Sequence, residues 1–164
     1  MSSTKQHLNS NDLSVSRTVP SFPDGWQAYK SPDGGFIVTA PGNPTEVSSD
    51  ELRMWKVTRY TFQDEETPLV IEIYSERTGA IATNTVDDLR DSPDMLLGSL
   101  HDVALPGMSG IEFRTKGRVG EVVHREYCSH DNTRSISIFV QKEIGGGISD
   151  AKVQLFLDSF KLLN

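Results

Sequence analysis

Residues 53–62, RMWKVTRYTF, and residues 69–74, LVIEIY, decide the fold. Both stretches are rich in β-branched and aromatic side chains, which is the composition typical of strands. In the second stretch Leu69, Ile71 and Ile73 fall on one face, because successive side chains of a strand point to opposite faces. About six polar residues separate the two stretches, so the sequence predicts an antiparallel hairpin.

Further strands are predicted on both sides of this hairpin. They cover residues 26–30, 36–40, 101–105, 111–115, 121–129 and 134–141. Turn-forming residues separate them, as Pro106-Gly107 does, where proline fixes φ and glycine tolerates a positive φ. In the last of these strands Ile136, Ile138 and Val140 alternate with polar residues, which indicates burial of one face.

Helical segments are predicted in two places. Thr85 is a candidate N-cap for a helix between residues 85 and 98 that is interrupted near Pro93. Ser149 is a candidate N-cap for a final helix over residues 150–160. The final helix has one apolar stripe, formed by Val153, Phe156, Leu157 and Phe160. Antiparallel strands with segregated helices predict an α+β fold, a mostly antiparallel sheet covered by helices.

The chain has 164 residues, a length that predicts one domain. Residues 1–24 are rich in serine, threonine and asparagine without a core-forming period, so we expect a disordered N-terminal arm. Residues 25–164 are expected to form a single α+β domain. The arm lacks the continuous apolar segment of a secretory signal, so the sequence predicts a cytoplasmic protein.

Charge and composition exclude several classes of function. The net charge is -7 and the isoelectric point is near 5.0, which disfavours general binding to nucleic acid because phosphate backbones are repelled. The chain has 1 cysteine, so it forms no internal disulfide and no multi-cysteine zinc site. No apolar run approaches the roughly 20 residues that span a bilayer. No catalytic signature stands out, and we expect neither an enzyme nor a bound cofactor.

Several short motifs appear in a familiar order. They are YKSPDGGF at residues 29–36, APGNP at residues 40–44, the Pro106-Gly107 turn followed by Glu112-Phe113, and FLDSFKL at residues 156–162. In this order, over about residues 26–164, the chain resembles small bacterial proteins of the PsbP and Mog-like superfamily. The resemblance implies an α/β/α sandwich around an antiparallel sheet.

The resemblance also implies a kind of function. Members of this superfamily include extrinsic subunits of photosystem II, a partner of a small GTPase in nuclear transport, and bacterial lipoproteins or adaptors. Their common theme is binding and assembly without a shared catalytic site. We therefore expect a non-catalytic protein-binding or accessory module, whose protein partner and oligomeric state the sequence does not name.

One cluster offers an alternative function. In the segment HREYCSHD the residues His124, Glu126, Cys128 and His130 project from one face of a predicted strand. All of them are metal-ligand types, and imidazole with thiolate suits zinc or copper. Four residues in a row cannot all reach one ion, so a metal or small-ligand site would need a neighbouring strand. A weaker alternative makes Cys128 a nucleophile activated by a histidine.

Overall fold

The structure, a computed structural model, describes residues 22–33, 35–52, 55–65, 67–76, 95–96, 98–145 and 147–163. These ranges contain ten strands and one helix. They are β1 (Trp26–Lys30), β2 (Phe36–Pro41), β3 (Glu46–Leu52), β4 (Trp55–Asp64), β5 (Thr67–Glu76), β6 (His101–Leu105), β7 (Met108–Lys116), β8 (Gly120–Ser129), β9 (Arg134–Glu143), α1 (Asp150–Ser159) and β10 (Lys161–Leu162).

Two antiparallel sheets are formed. The large sheet has the strand order β3-β4-β5-β9-β8-β7-β6, and the small sheet has the order β1-β2-β10. The predicted hairpin is confirmed as β4 and β5, which pair from Trp55 opposite Glu76 to Asp64 opposite Thr67. The other predicted strands are confirmed as β1, β2, β6, β7, β8 and β9. The sequence did not predict β3 or β10.

The core lies between the large sheet on one side and the small sheet with α1 on the other. We call the side of the large sheet that faces this layer the core face and its opposite the second face. The fully buried side chains of the core include Phe36 of the small sheet, Phe62 and Ile138 of the large sheet, and Phe156 of α1. Alternation along β4, β5, β8 and β9 places side chains of one face in this core.

Helix α1 begins as predicted after Ser149. The Ser149 hydroxyl accepts a hydrogen bond from the backbone N–H of Lys152 at 3.3 Å, which satisfies one of the donors left free at a helix N-terminus. The side chains of Val153, Phe156 and Leu157 are buried. The predicted apolar stripe is therefore the face of α1 that packs into the core.

A buried arginine fastens the end of α1 to the large sheet. Arg125 of β8 points to the core face and is 6% exposed. Its guanidinium donates to a carboxylate oxygen of Glu112 on β7 at 2.9 Å, and to the backbone carbonyl of Leu157 and the carboxylate of Asp158, both at 2.8 Å. Sheet and helix thus share one cation at the C-terminal end of α1, where positive charge also complements the helix dipole.

The expectation of an α/β/α sandwich with helices covering the sheet is wrong. The fold is mostly antiparallel β-sheet, and α1 is the one helix of the described residues. No described helix or strand packs across the second face, although Ile111 and Phe113 are buried there. The predicted α+β class overstates the helical share, because cap and proline signals mark where a helix could begin but do not stabilise one without tertiary packing.

The helix predicted between residues 85 and 98 lies mainly outside the described residues. Its described C-terminal part is not helical, because Met95 forms an isolated antiparallel bridge with Thr115 of β7 and the N–H of Leu96 donates to the carbonyl of Arg114 at 2.8 Å. Strand β7 extends past the end of β6, so its backbone offers pairing that outcompetes a short helix. The predicted N-terminal arm also lies outside the described residues up to residue 21.

Candidate functional site

The predicted metal-ligand residues are placed by β8. Alternation brings His124, Glu126 and Cys128 to the second face of the large sheet. His130 lies beyond the end of the strand in the following turn, is exposed, and has its Nε2 3.3 Å from the hydroxyl of Ser109. The prediction of a shared face is therefore confirmed for His124, Glu126 and Cys128, which lie within β8, whereas His130 follows the last residue of the strand.

His124 is held by its neighbours on β7. Its ring stacks on Phe113, with centroids 4.8 Å apart and planes 7° apart. Its Nε2 lies 2.9 Å from the hydroxyl oxygen of Thr115, and its Nδ1 lies 4.0 Å from a carboxylate oxygen of Glu126. Burial lowers the pKa of His124 from 6.5 to about 4, so the imidazole is neutral at pH 7.

Glu126 belongs to a row of polar side chains across three strands. It accepts a hydrogen bond from the hydroxyl of Ser137 on β9 at 2.6 Å, and Ser137 is opposite Glu72 on β5. Burial raises the pKa of Glu126 to about 7, the hydrogen bond from Ser137 opposes that rise, and the carboxylate of Glu72 adds to it. Glu72 itself accepts hydrogen bonds from Arg59 and Tyr74, each at 2.6 Å.

Cys128 is half-buried and lies two residues along β8 from Glu126, on the same face and opposite Ser135. Burial raises the pKa of its thiol, and the nearby Glu126 carboxylate raises it further. A raised pKa keeps the sulfur protonated at neutral pH, whereas a nucleophilic cysteine needs the thiolate. The environment of Cys128 therefore opposes the reactivity that a catalytic role would require.

The described residues of this face do not form an assembled metal site. Over the ranges that the structure describes, no three His, Cys, Asp or Glu side chains are grouped so that they could hold a metal ion. Successive same-face residues of a strand are about 6.5–7 Å apart, and the Nε2 of His124 already faces Thr115. Metal binding through His124, Glu126, Cys128 and His130 stays a prediction.

The structure places a groove on the core face, at the end of the large sheet that α1 leaves open. We call it the β3–β5 groove. It has a volume of about 490 Å³, within the range of about 300–1,000 Å³ common for ligand sites. Its floor is the core face of β3, β4, β5 and the start of β9, and its wall is formed by Tyr29, Pro32 and Asp33 of the small sheet and its turn.

One end of the groove is cationic. Lys56 of β4 is opposite Ser75 of β5, and Ser75 is opposite Arg134 of β9. Opposed residues of antiparallel strands share a face, so these side chains form one row across the floor, which we call the cationic row. Lys56 is exposed. Glu51 is opposite Lys56 on β3 but does not line the groove.

Farther along the strands the groove loses charge. Ser49 and Thr58 are opposite each other in the next row, with hydroxyl oxygens 3.3 Å apart. Beyond them Val47 is opposite Tyr60. Val47 is 53% exposed and Tyr60 is 3% exposed, and the hydroxyl of Ser31 donates to the Tyr60 oxygen at 3.1 Å. The floor therefore runs from cations through hydroxyl groups to an apolar end.

The groove was not among the sites predicted from the sequence. Alternation in β4 already put Lys56, Thr58 and Tyr60 on one face, and polar residues in phase with a buried tyrosine were the available signal. The partners Ser75 and Arg134 are joined to Lys56 only by strand register, which local sequence does not state.

Comparison with known proteins gives the chain no family. No family model matches it, and no curated protein matches it. The resemblance to PsbP and Mog-like proteins therefore has no support beyond the motifs themselves. No helix in the described part of the chain is long and apolar enough to cross a membrane.

Proposed function

We propose that the protein is a non-catalytic binding module and that a protein partner docks in the β3–β5 groove. The observation that carries the proposal is the groove itself, a concave site of about 490 Å³ lined by hydroxyl, phenol and basic side chains. Concave sites with a few convergent polar groups are where proteins most often bind ligands.

The chemistry of the groove supports binding over catalysis. Its described lining contains neither histidine nor cysteine, the side chains that most often act as proton-transfer groups or nucleophiles at neutral pH. His124 and Cys128 lie on the other face of the sheet, and their shifted pKa values keep both neutral at pH 7. The hydroxyl and basic groups that remain suit hydrogen bonding and charge pairing.

The shape of the groove supports an extended protein segment as its occupant. The floor crosses four neighbouring strands, which is about 14 Å at the spacing of paired strands. Its open side is β3, which pairs only with β4 among the described strands. Val47 of β3 is 53% exposed at this side. An extended segment can therefore enter from the edge without moving a described element.

We place this function in the cytoplasm, where a single cysteine without a disulfide is common. Expression of the full chain with a fluorescent tag in its own host tests the location. A diffuse signal in the cytoplasmic fraction is expected, and recovery of the protein outside the cytoplasm would contradict this part of the proposal.

A pair of serine variants tests the docking site. Neighbouring Ser48 and Ser49 of β3 point to opposite faces, Ser49 into the groove and Ser48 away from it. A library of random displayed peptides is selected on the full-length protein, and enriched peptides are measured on Ser49→Trp and Ser48→Trp. We expect an affinity loss of about tenfold or more for Ser49→Trp only.

Two results would contradict the proposal. One is a failure to enrich any peptide reproducibly, and the other is equal binding of the enriched peptides by Ser49→Trp and wild-type protein. Circular dichroism of both variants shows that each keeps the strand content of the parent, so that loss of binding reports on the groove.

A further inference from the structure

The polarity of the groove changes along the strands, from a cationic end to an apolar end, so the two ends favour different side chains of an occupant. The cationic row holds Lys56 and Arg134, whereas Val47 and Tyr60 lie at the other end. The chain as a whole carries a net charge of -7, so an acidic segment is attracted only where basic side chains cluster. The cationic row is such a place.

The distance between the two ends is set by β4. Lys56 and Tyr60 are four residues apart on this strand and on the same face. At about 3.3 Å per residue the two ends of the groove are therefore separated by about 13 Å. In an extended partner segment, side chains four residues apart lie on one face with the same spacing, so one segment can place a side chain at each end.

The two ends favour different side chains. At the cationic row the described groove lining offers two charged groups, the ammonium group of Lys56 and the guanidinium group of Arg134. The hydroxyl of Ser75 between them donates to the backbone carbonyl of Lys56 at 3.4 Å. A carboxylate accepts from both types of charged group. At the other end the ring of Tyr29 packs edge-on against Phe62 with centroids 5.3 Å apart, which leaves an aromatic and aliphatic surface beside Val47.

We propose that the β3–β5 groove selects an acidic segment of its protein partner, in which a carboxylate side chain and a large apolar side chain are four residues apart. This inference rests on the proposed function and specifies the chemistry of the occupant. The carboxylate binds at the cationic row, and the apolar side chain binds beside Tyr29 and Val47. Asp33, the one carboxylate of the described lining, belongs to the wall and not to the cationic row.

Matched synthetic peptides test this selection. The probe is fluorescently labelled acetyl-Phe-Ser-Thr-Ser-Glu-amide, and its neutral control has glutamine in place of glutamate. A second control, acetyl-Phe-Ser-Glu-Ser-Thr-amide, keeps the charge and changes the spacing. Binding to the full-length protein is measured by fluorescence anisotropy and by shifts of backbone amide resonances in the groove.

We expect the probe to bind about tenfold more tightly than either control peptide at low salt, and this preference to shrink as added salt screens the charges. Lys56→Gln should remove most of the preference of the protein for glutamate. Lys116→Gln is the matched control, because Lys116 is also exposed at the end of a strand but lies on β7, far from the groove.

The outcomes separate this inference from the proposed function. Equal affinity for the glutamate and glutamine peptides, with resonances of the groove shifting in both cases, overturns the inference and leaves groove docking intact. Binding of neither peptide, while library-selected peptides lose affinity for Ser49→Trp, also overturns only the inference. Selected peptides that ignore Ser49→Trp overturn the proposed function and the inference together.

Discussion

Replacing Arg125 with methionine should destabilise the protein more than any other single arginine change in the described sheet. Methionine keeps an unbranched apolar stem in the core and removes the guanidinium. Glu112, whose side chain is 13% exposed, then keeps its charge without the cation that faces it. The carbonyl of Leu157 loses a donor at 2.8 Å.

The expected magnitude follows from the burial of each partner. Asp158 is 60% exposed, so water replaces the lost contact and this ion pair contributes little. Removing one partner of a buried ion pair costs about 3–5 kcal/mol, because the other charge stays buried. We therefore expect Arg125→Met to lower the free energy of unfolding by about 3–5 kcal/mol, a large part of the about 5–15 kcal/mol typical of a domain.

Urea unfolding followed by far-ultraviolet circular dichroism measures this loss. The matched control is Arg114→Met, because Arg114 pairs with Glu121 at 2.7 Å on the adjoining strands with side chains 36% and 31% exposed. We expect less than about 1 kcal/mol for the control. The double variant Glu112→Gln with Arg125→Met should recover part of the loss, because no carboxylate is left unpaired. Equal effects of Arg125→Met and Arg114→Met would refute the reasoning.

Three further results are expected. The pKa of Glu126 is raised to about 7, so this group stabilises the fold below its unfolded pKa, and the contribution is lost as pH rises toward 7. The pKa of His124 is lowered to about 4, so the fold loses stability as pH falls from 6.5 toward 4. Glu126→Gln removes the first effect and leaves that of His124, so the variant should be less stable at pH 4.5 than at pH 7 in urea titrations. A pH dependence of stability equal to that of the wild-type protein would contradict the raised pKa of Glu126. Gly120→Ala should disrupt the Gly120–Glu143 end of the β8–β9 pairing and lower the melting temperature, since an added Cβ would lie 1.9 Å from the carbonyl oxygen of Lys142. A melting temperature equal to that of the parent would contradict this prediction. Zinc titration by calorimetry tests the predicted metal face, where binding that disappears in His124→Ala would support it and absence of heat would remove it.

The strands were predictable where local pattern and final environment agree. The run from β4 to β5 combines β-branched residues with a polar turn, and the structure pairs it as expected. Strand β3, with the sequence EVSSDEL, has one β-branched residue and three carboxylates, so nothing local favours a strand. It is extended because it pairs along β4. This tertiary contact cannot be predicted from the composition of the segment.

The candidate sites differ in how far sequence could specify them. Alternation predicted that His124, Glu126 and Cys128 share a face because that property belongs to a single strand. Their actual partners, Thr115 and Ser137, belong to neighbouring strands and depend on register. Alternation within β4 puts Lys56, Thr58 and Tyr60 on one face, but the residues of β3, β5 and β9 that complete the groove join them only through register.

Polar side chains of β8 give a physical reason for that register. A shift by one residue would move Arg125 to the second face and Glu126 to the core face. Arg125 would then lose Glu112 and the Leu157 carbonyl, and Glu126 would lose its hydrogen bond from Ser137. Each loss leaves a charged or polar group buried without its partner, which costs more than the apolar contacts that a shifted strand could regain. Strand β8 pairs with β9, and β9 pairs with β5 in the register that brings the cationic row of the groove together. The buried polar pairs of β8 therefore stabilise the strand alignment on which the proposed binding site depends.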